Sequence, residues 1–401
     1  MKPIAFVIPW YGDNIRGGAE MECNHLAHCL TDLNVKVEVF TTCVKDAASD
    51  RGINTLKAAA GLESGILVRR FNVRKRNVEN YNGANLKLYH NQPVTIEEEQ
   101  IYFEEDINSP DMYNYIKKNK ENYEYFIFMP YLYGTTYNGS QQCPDNCVMI
   151  PCFHDESYAY MKLMRDRAKA FKGMIFLSKP ESDLAHSLYD LSNIKTAVLG
   201  AYVESEWHDK CDPKSFIDKY KIKGDFILYA GRKDAGKKAA ELVEFFIKYL
   251  ELKPTRKLHL IFIGGGSLEI PDNYKDRIID LGFVSAEDKH NAMAAATFLC
   301  NPSHFESFSI VIMESWLAKR PVLVSEHCGV TKNFCLETNG GLYFENFGVF
   351  CGCVDYFLDH RENADKMGEN GYEYVMNNFT HDRIARKYLE FLEKLKEGRE
   401  G

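Results

Sequence analysis

The stretch Thr297 to Ser325, TFLCNPSHFESFSIVIMESWLAKRPVLVS, constrains the fold more than any other part of the chain. Its apolar run Thr297 to Cys300 predicts a buried strand, Asn301 to Ser307 a loop, the residues to about Lys319 a helix, and Pro321 to Ser325 a second strand. A strand, helix and strand in this order form one unit of a parallel sheet, and such sheets meet their ligands at the carboxyl ends of their strands. The loop and the first helical turns are therefore the candidate site. Glu306 lies in the loop and Glu314 in the helix, with seven residues between them, so both can face one crevice without sharing a helical face. Between them, Phe308, Ser309 and Ile310 place backbone N–H groups at a helix N-terminus, where anions bind readily. Carboxylates beside such a helix end suit a ligand that carries both hydroxyls and phosphates.

The same alternation runs through the first half of the chain. Ile4 to Pro9 reads as a strand, Trp10 to Gly18 as a loop, and the residues to about Leu33 as an amphipathic helix before the next strand, Val35 to Phe40. The loop ends in Arg16-Gly17-Gly18-Ala19-Glu20, with paired glycines where backbone must approach something closely. It lacks the Gly-x-Gly-x-x-Gly fingerprint, so a nicotinamide cofactor is not supported. Residues from about Ala47 to Tyr123 look less regular, with a basic run (Arg69, Arg70, Arg74, Lys75, Arg76) and an acidic run (Glu97, Glu98, Glu99). Such runs are usually solvated faces, although the basic one could receive an anionic acceptor or a lipid surface. Tyr125 to Met129, Val148 to Phe153 and Met174 to Ser178 read as further strands, the second ending in His154-Asp155-Glu156. A histidine at a strand's carboxyl end is placed to meet a ligand, whereas Asp155 is explained by helix capping.

Glu204 to Lys214 is charged and reads as an interdomain linker, after which the pattern restarts. Phe226 to Ala230 predicts a strand, followed by Gly231-Arg232-Lys233-Asp234-Ala235-Gly236-Lys237-Lys238 and a helix through about Tyr249. Arginine and lysine in such a loop are placed to neutralise a diphosphate, the guanidinium with two parallel hydrogen bonds. Leu258 to Ile263 is a strand ending in three glycines, and Ile278 to Val284 contains Leu-Gly-Phe-Val.

Composition excludes several classes. A net charge of −8 argues against a nucleic-acid binder. No apolar run approaches the ~18 residues of a membrane span, and Pro9 and Gly12 interrupt the N-terminal run too early for a signal peptide, so a cytoplasmic protein is expected. The cysteines number 12 but are spread through apolar runs, as buried thiols in a reducing compartment would be. Cys143, Cys147, Cys152 and His154 include a zinc-range spacing. Cys152 and His154 fall in or next to a strand, however, and no metal site is expected.

Taken together, Glu306 and Glu314, the Gly231-Arg232 loop with its lysine, and the paired glycines at Gly17 and Gly18 resemble the retaining glycosyltransferases of family 4 (glycosyl transferases group 1). The resemblance is close over roughly residues 225 to 345 and weaker at 1 to 40 and 148 to 180. It implies an α/β fold of two Rossmann-like domains facing across a cleft, the GT-B architecture. The first (1–200) would bind the acceptor, the second (201–375) the nucleotide sugar, and a C-terminal helix (376–401) would cross back to the first.

The resemblance also implies roles. Arg232, Lys237 or Lys238, and the helix end at Phe308 to Ile310 would hold the donor diphosphate; the family commonly has glycine where Lys238 stands, so the choice between the lysines is open. Gly17 and Gly18 would lie against donor phosphates and acceptor, Val284 beside the base, and Glu314 on the ribose hydroxyls. Glu306 would orient the sugar near its anomeric carbon, and His154 would contact sugar or acceptor. The expected reaction moves a hexose from a nucleotide diphosphate sugar, UDP- or GDP-linked donors being favoured, to a glycan or lipid-linked acceptor. It needs no further cofactor, and the chain contains no Asp-x-Asp metal triplet. Peripheral contact with the inner membrane face stays open. A non-catalytic nucleotide-sugar-binding partner of another transferase, or a nucleotide-sugar epimerase or phosphorylase, could use the same scaffold.

Overall fold

Strand and helix alternate along the computed structural model, which describes residues 1–12 and 17–397. The chain divides into two α/β units, Met1–Tyr202 with the segment from His381 onward, and Val203–Thr380. Each has its own sheet and its own core.

The first unit holds eight strands: β1 Ile4–Val7, β2 Val37–Thr42, β3 Ala59–Glu63, β4 Ile66–Phe71, β5 Tyr125–Phe128, β6 Cys147–Met149, β7 Gly173–Phe176 and β8 Lys195–Val198. Their order is β3-β4-β2-β1-β5-β6-β7-β8, parallel throughout except that β3 runs antiparallel to β4. The central strands β1 (IAFV) and β5 (YFIF) are buried along their whole length. Uninterrupted apolar runs of this kind are what a parallel strand covered on both faces requires. The chain leaves β1 toward β2 on one side and later returns to β5 on the other, so the strand order reverses between β1 and β5.

Residues 47–123, expected to be less regular, are well organised. Ser64 and Gly65 both have positive φ (45° and 87°) and close the β3–β4 hairpin, as a two-residue turn of matching twist demands. Three helices follow, Val78–Tyr89, Ile96–Glu105 and Pro110–Asn119, capped by Asn77, Thr95 and Ser109. The acidic run is only in part a solvated face, with Glu97 exposed. Glu98 completes a capping box with Thr95, and the buried Glu99 accepts from the backbone N–H groups of Lys162 and Leu163 at 2.9 and 2.7 Å. The C-terminal helix His381–Glu397 packs on the first helix, Gly18–Asp32, and its Tyr388 hydroxyl donates to the Gly200 carbonyl at 2.9 Å.

The second unit is a six-stranded, wholly parallel sheet of β9 Asp225–Ala230, β10 Leu258–Ile263, β11 Ile278–Asp280, β12 Phe298–Asn301, β13 Val322–Ser325 and β14 Gly341–Phe344. Its order is β11-β10-β9-β12-β13-β14, and it reverses between β9 and β12. The stretch Glu204 to Lys214 is part of this unit rather than a free linker. Trp207 stacks on His290 with ring centroids 4.0 Å apart, and Asp212 caps the helix Pro213–Tyr220.

Candidate active site at the strand ends of the second unit

In an open parallel sheet the loops on either side of a reversal in strand order diverge and leave a crevice. In the second unit these are the loop after β9 and the loop after β12, which carry the arginine, the lysines and the first glutamate.

The β9 loop is held from beneath by the glycines after β10. A side chain on Gly264, whose φ is +118°, would place its Cβ 2.1 Å from the Gly231 carbonyl oxygen, so only glycine permits the two backbones to meet. The Lys233 backbone N–H donates to Gly265 O at 2.8 Å. Its side chain is fully buried and reaches Asp280 Oδ1 at 2.5 Å, so Lys233 is a strut, while its neighbour Arg232 is 70% exposed. Arg232 Nε lies 3.3 Å from Asp234 Oδ2. Asp234 also caps the short turn Ala235–Lys237, accepting from the Lys237 N–H at 3.1 Å. Lys238 then takes a left-handed conformation (φ 56°) to start the helix Ala239–Leu252. That backbone need explains a glycine preference at this position.

Lys237 and Lys238 diverge. Lys237 Nζ donates to Glu306 Oε1 at 2.7 Å, whereas Lys238 Nζ is 3.9 Å from Glu241 on its own helix. Glu306 is further contacted by Asn301 Nδ2 at 3.3 Å, and the same amide donates to Ser309 Oγ at 2.9 Å. Ser309 is the left-handed N-cap (φ 73°) of the helix Ile310–Leu317. The Phe308 ring anchors this turn against Phe334 and Phe379, at centroid distances of 5.5 and 4.9 Å. The first N–H groups of that helix thereby open where the loop ends. Glu314, one and a half turns on, is paired with Lys289 of the helix Ala286–Ala295, just after Val284. Around these groups His304 and His327 face each other at 4.9 Å. Burial, with Lys238 and His327 nearby, pushes His304 below the ordinary histidine range.

Of the residues singled out from the sequence, Arg232, Lys237, Lys238, Val284, Glu306, Phe308, Ser309, Ile310 and Glu314 all lie on the loops and helix starts at this carboxyl edge. Gly17, Gly18 and His154 lie at the carboxyl edge of the other sheet. Gly17 leaves room there for an internal anion. A Cβ would fall 1.8 Å from a carboxylate oxygen of Glu20, which folds back to accept from the Trp10 indole N–H. Arg16 is outside the described residues. His154 Nδ1 lies 3.5 Å from Glu156 Oε1, and its loop is fixed by the buried Glu181, which accepts from the backbone of Phe153 and Leu177 at 2.7 and 2.6 Å. Asp155 does not cap a helix; it accepts from the Tyr160 hydroxyl at 2.7 Å.

One reading offered by the sequence changes. The arginines of the basic run are neutralised inside the first unit: Arg69 by Glu38 at 2.6 Å, Arg70 by Glu63, Arg74 by Glu105 at 3.1 Å and Arg76 by Asp50 at 3.1 Å. That removes the basis for reading the run as an anion-receiving or lipid-facing patch. Cys143 and Cys147 are buried separately as thiols, and among the described residues no three of His, Cys, Asp and Glu converge as metal ligands. Asn301, Lys289, Lys233 and Glu181 were not found from the sequence. The partners that define their roles include ones 25 to 47 residues away along the chain for Lys289, Glu181 and Lys233, and local spacing does not report them.

Residues 224–347 match the family model for glycosyl transferases group 1. Two curated proteins are similar over shorter stretches. A probable sucrose-phosphate synthase from Thermosipho melanesiensis is 25% identical over 195 residues, 44% of this chain and 43% of that protein. An N-acetylgalactosaminyltransferase from Campylobacter jejuni, named as acting on a diphospho-undecaprenol-linked sugar, is 28% identical over 186 residues, 44% of this chain and 48% of that one. The chain spans less than half the length of each. The crystal structure of HepE from Anabaena in complex with UDP and glucose superposes with a TM-score of 0.66, covering 98% of this chain and 100% of that one at 15% identity. The fold is that of the GT-B glycosyltransferases. The segment that matches the group 1 glycosyltransferase model carries the β9 and β12 loops of the site.

Proposed function

We propose that the protein transfers a hexose from a nucleotide diphosphate sugar to a glycan or lipid-linked acceptor, with retention of anomeric configuration and without a metal ion. The observation that carries this reading is the contact between Lys237 and Glu306 where strand order reverses in the second unit. A lysine that leaves a carboxylate for a diphosphate frees that carboxylate for the sugar. Arg232, Lys237 rather than Lys238, and the helix start at Phe308 to Ile310 supply preorganised positive charge where the leaving diphosphate gains negative charge. Glu306 then accepts from sugar hydroxyls, and Glu314 from the two ribose hydroxyls. Gly17 and Gly18 serve the donor phosphates and the acceptor, and His154 the transferred sugar or the acceptor. The Campylobacter relative's lipid-linked acceptor and the UDP and glucose bound to HepE support these substrate classes. Among the described residues no helix is long and apolar enough to cross a membrane.

The test is thermal stability with UDP, GDP, ADP and dTDP, each with and without chelator, followed by transfer assays on Arg232→Ala and Glu314→Ala. A ligand that binds only the folded state raises the melting temperature in proportion to the logarithm of its concentration over Kd. A shift with one nucleotide that survives chelation, abolished by Arg232→Ala, is expected. Near-normal transfer in both variants would overturn the site, and turnover of donor with no acceptor present would point to an epimerase.

A further inference from the structure

We propose that Asn301 is a positioning residue that keeps Glu306 aimed at the donor sugar once Lys237 has moved to the diphosphate; this rests on the transferase reading above. Asn301 is the last residue of β12, is 6% exposed, and uses its amide in both senses. Its Oδ1 accepts from the Ser303 backbone N–H at 3.1 Å, which turns Nδ2 toward Glu306 Oε1 at 3.3 Å and Ser309 Oγ at 2.9 Å. One rigid strand end thus holds the candidate carboxylate and the turn that opens the anion-binding helix. Lys237 is the other group seen on Glu306 Oε1, on a side chain with four rotatable carbons, and it is the one that a diphosphate would attract. When it leaves, the amide remains. A neutral amide is suited to this task because it orients the carboxylate without changing its charge.

The substitution Asn301→Asp keeps the shape and replaces the donor by a second carboxylate. The titratable groups facing Glu306 from neighbouring elements are Lys237 in the turn before the helix Ala239–Leu252, Tyr229 on β9 and Cys328 after β13. None of them changes in the variant. A like charge at this range raises a carboxyl pKa, so the acid limb of the kcat profile moves up by about one pH unit. Glu306 itself, followed in the ligand-free protein by carboxyl carbon-13 shifts and assigned with Glu306→Gln, moves by the same amount. Superposable profiles and an unmoved carboxyl signal would overturn the proposal. If the wild type turns over no nucleotide sugar, the transferase reading fails, and the ligand-free titration still decides whether Asn301 governs Glu306. Should the aspartate variant not fold, Asn301→Ser removes both Nδ2 contacts. It is expected to lower kcat about ten-fold or more with donor KM nearly unchanged, the pattern of an interaction made only in the transition state; an unchanged kcat would overturn the proposal.

Discussion

Lys237 Nζ lies 2.7 Å from Glu306 Oε1, so a lysine from the loop after β9 holds a carboxylate from the loop after β12. Both side chains are largely covered, 26% and 13% exposed, where an ion pair is less screened than on an open surface. The pair makes the two halves of the candidate site interdependent. On the proposed reading a donor diphosphate would compete with Glu306 for the lysine and so leave Glu306 Oε1 open to sugar hydroxyls.

The two adjacent lysines should therefore separate in activity. Lys237→Ala is expected to lower kcat/KM for transfer by about 10²- to 10³-fold, as loss of one preorganised counter-charge does. Lys238→Ala, whose Nζ is 3.9 Å from Glu241 on an exposed helix face, should cost only a few-fold. Steady-state transfer assays on the two variants decide it, and equal losses would sink the assignment.

Lys238 carries a different signature, in its backbone. At φ 56° a side chain is strained and glycine is not. Lys238→Gly is expected to stabilise the protein slightly, by about 0.5 kcal/mol after the extra chain entropy of glycine is subtracted. Denaturant melts of the variant beside wild type would show it as a raised midpoint with unchanged slope.

Arg232 and Lys233 are neighbours with opposite expected phenotypes. Arg232 is exposed, so Arg232→Ala should leave stability within about 0.5 kcal/mol while reducing transfer by orders of magnitude. The buried Lys233 faces Asp280, so Lys233→Ala leaves that carboxylate without its partner and should cost about 3 kcal/mol. Chemical denaturation paired with an activity assay reads both; a stable, fully active Lys233→Ala protein would contradict the strut role.

The first unit should lose stability as pH rises through neutrality. Burial pushes the Glu22 carboxyl up from 4.5 to about 8, with the Tyr202 backbone N–H pulling the other way. Between those two values the folded state keeps a proton that the unfolded state releases. Stability is greatest below the unfolded pKa and falls with rising pH, by about 1.4 kcal/mol per unit, until the folded pKa is passed. Glu22→Gln removes the Glu22 share of this slope and leaves that of the buried Glu181, whose carboxyl burial also pushes up to about 8. The variant should match wild type in denaturant midpoint near pH 4.5 and exceed it at pH 8. Parallel pH dependences in the two proteins would rule it out.

The α/β architecture was legible in the sequence because strands covered on both faces must be apolar along their length, and β1 and β5 are. The Thr297–Ser325 stretch likewise reads directly as strand, loop, helix and strand, with the helix starting at Ile310 and the second strand at Val322. The hairpin of β3 and β4 was hidden because β4, ILVRRF, ends in arginines that look like a surface charge run. Those arginines are paired from other strands and turns, and no local pattern reports such a partner.

The sequence by itself therefore determined the sheet-and-helix alternation, the family resemblance and the set of charged groups available at the strand ends. Only the tertiary structure decided which of them meet. Strand order sets β2 beside β4 and so brings Glu38 to Arg69 across 31 residues of chain, and it sets β9 beside β12 and so brings Lys237, rather than Lys238, to Glu306. Periodicity reports burial along one segment. Contacts between segments depend on which strands become neighbours and on backbone angles such as those at Lys238 and Ser309, which follow from packing of the whole unit.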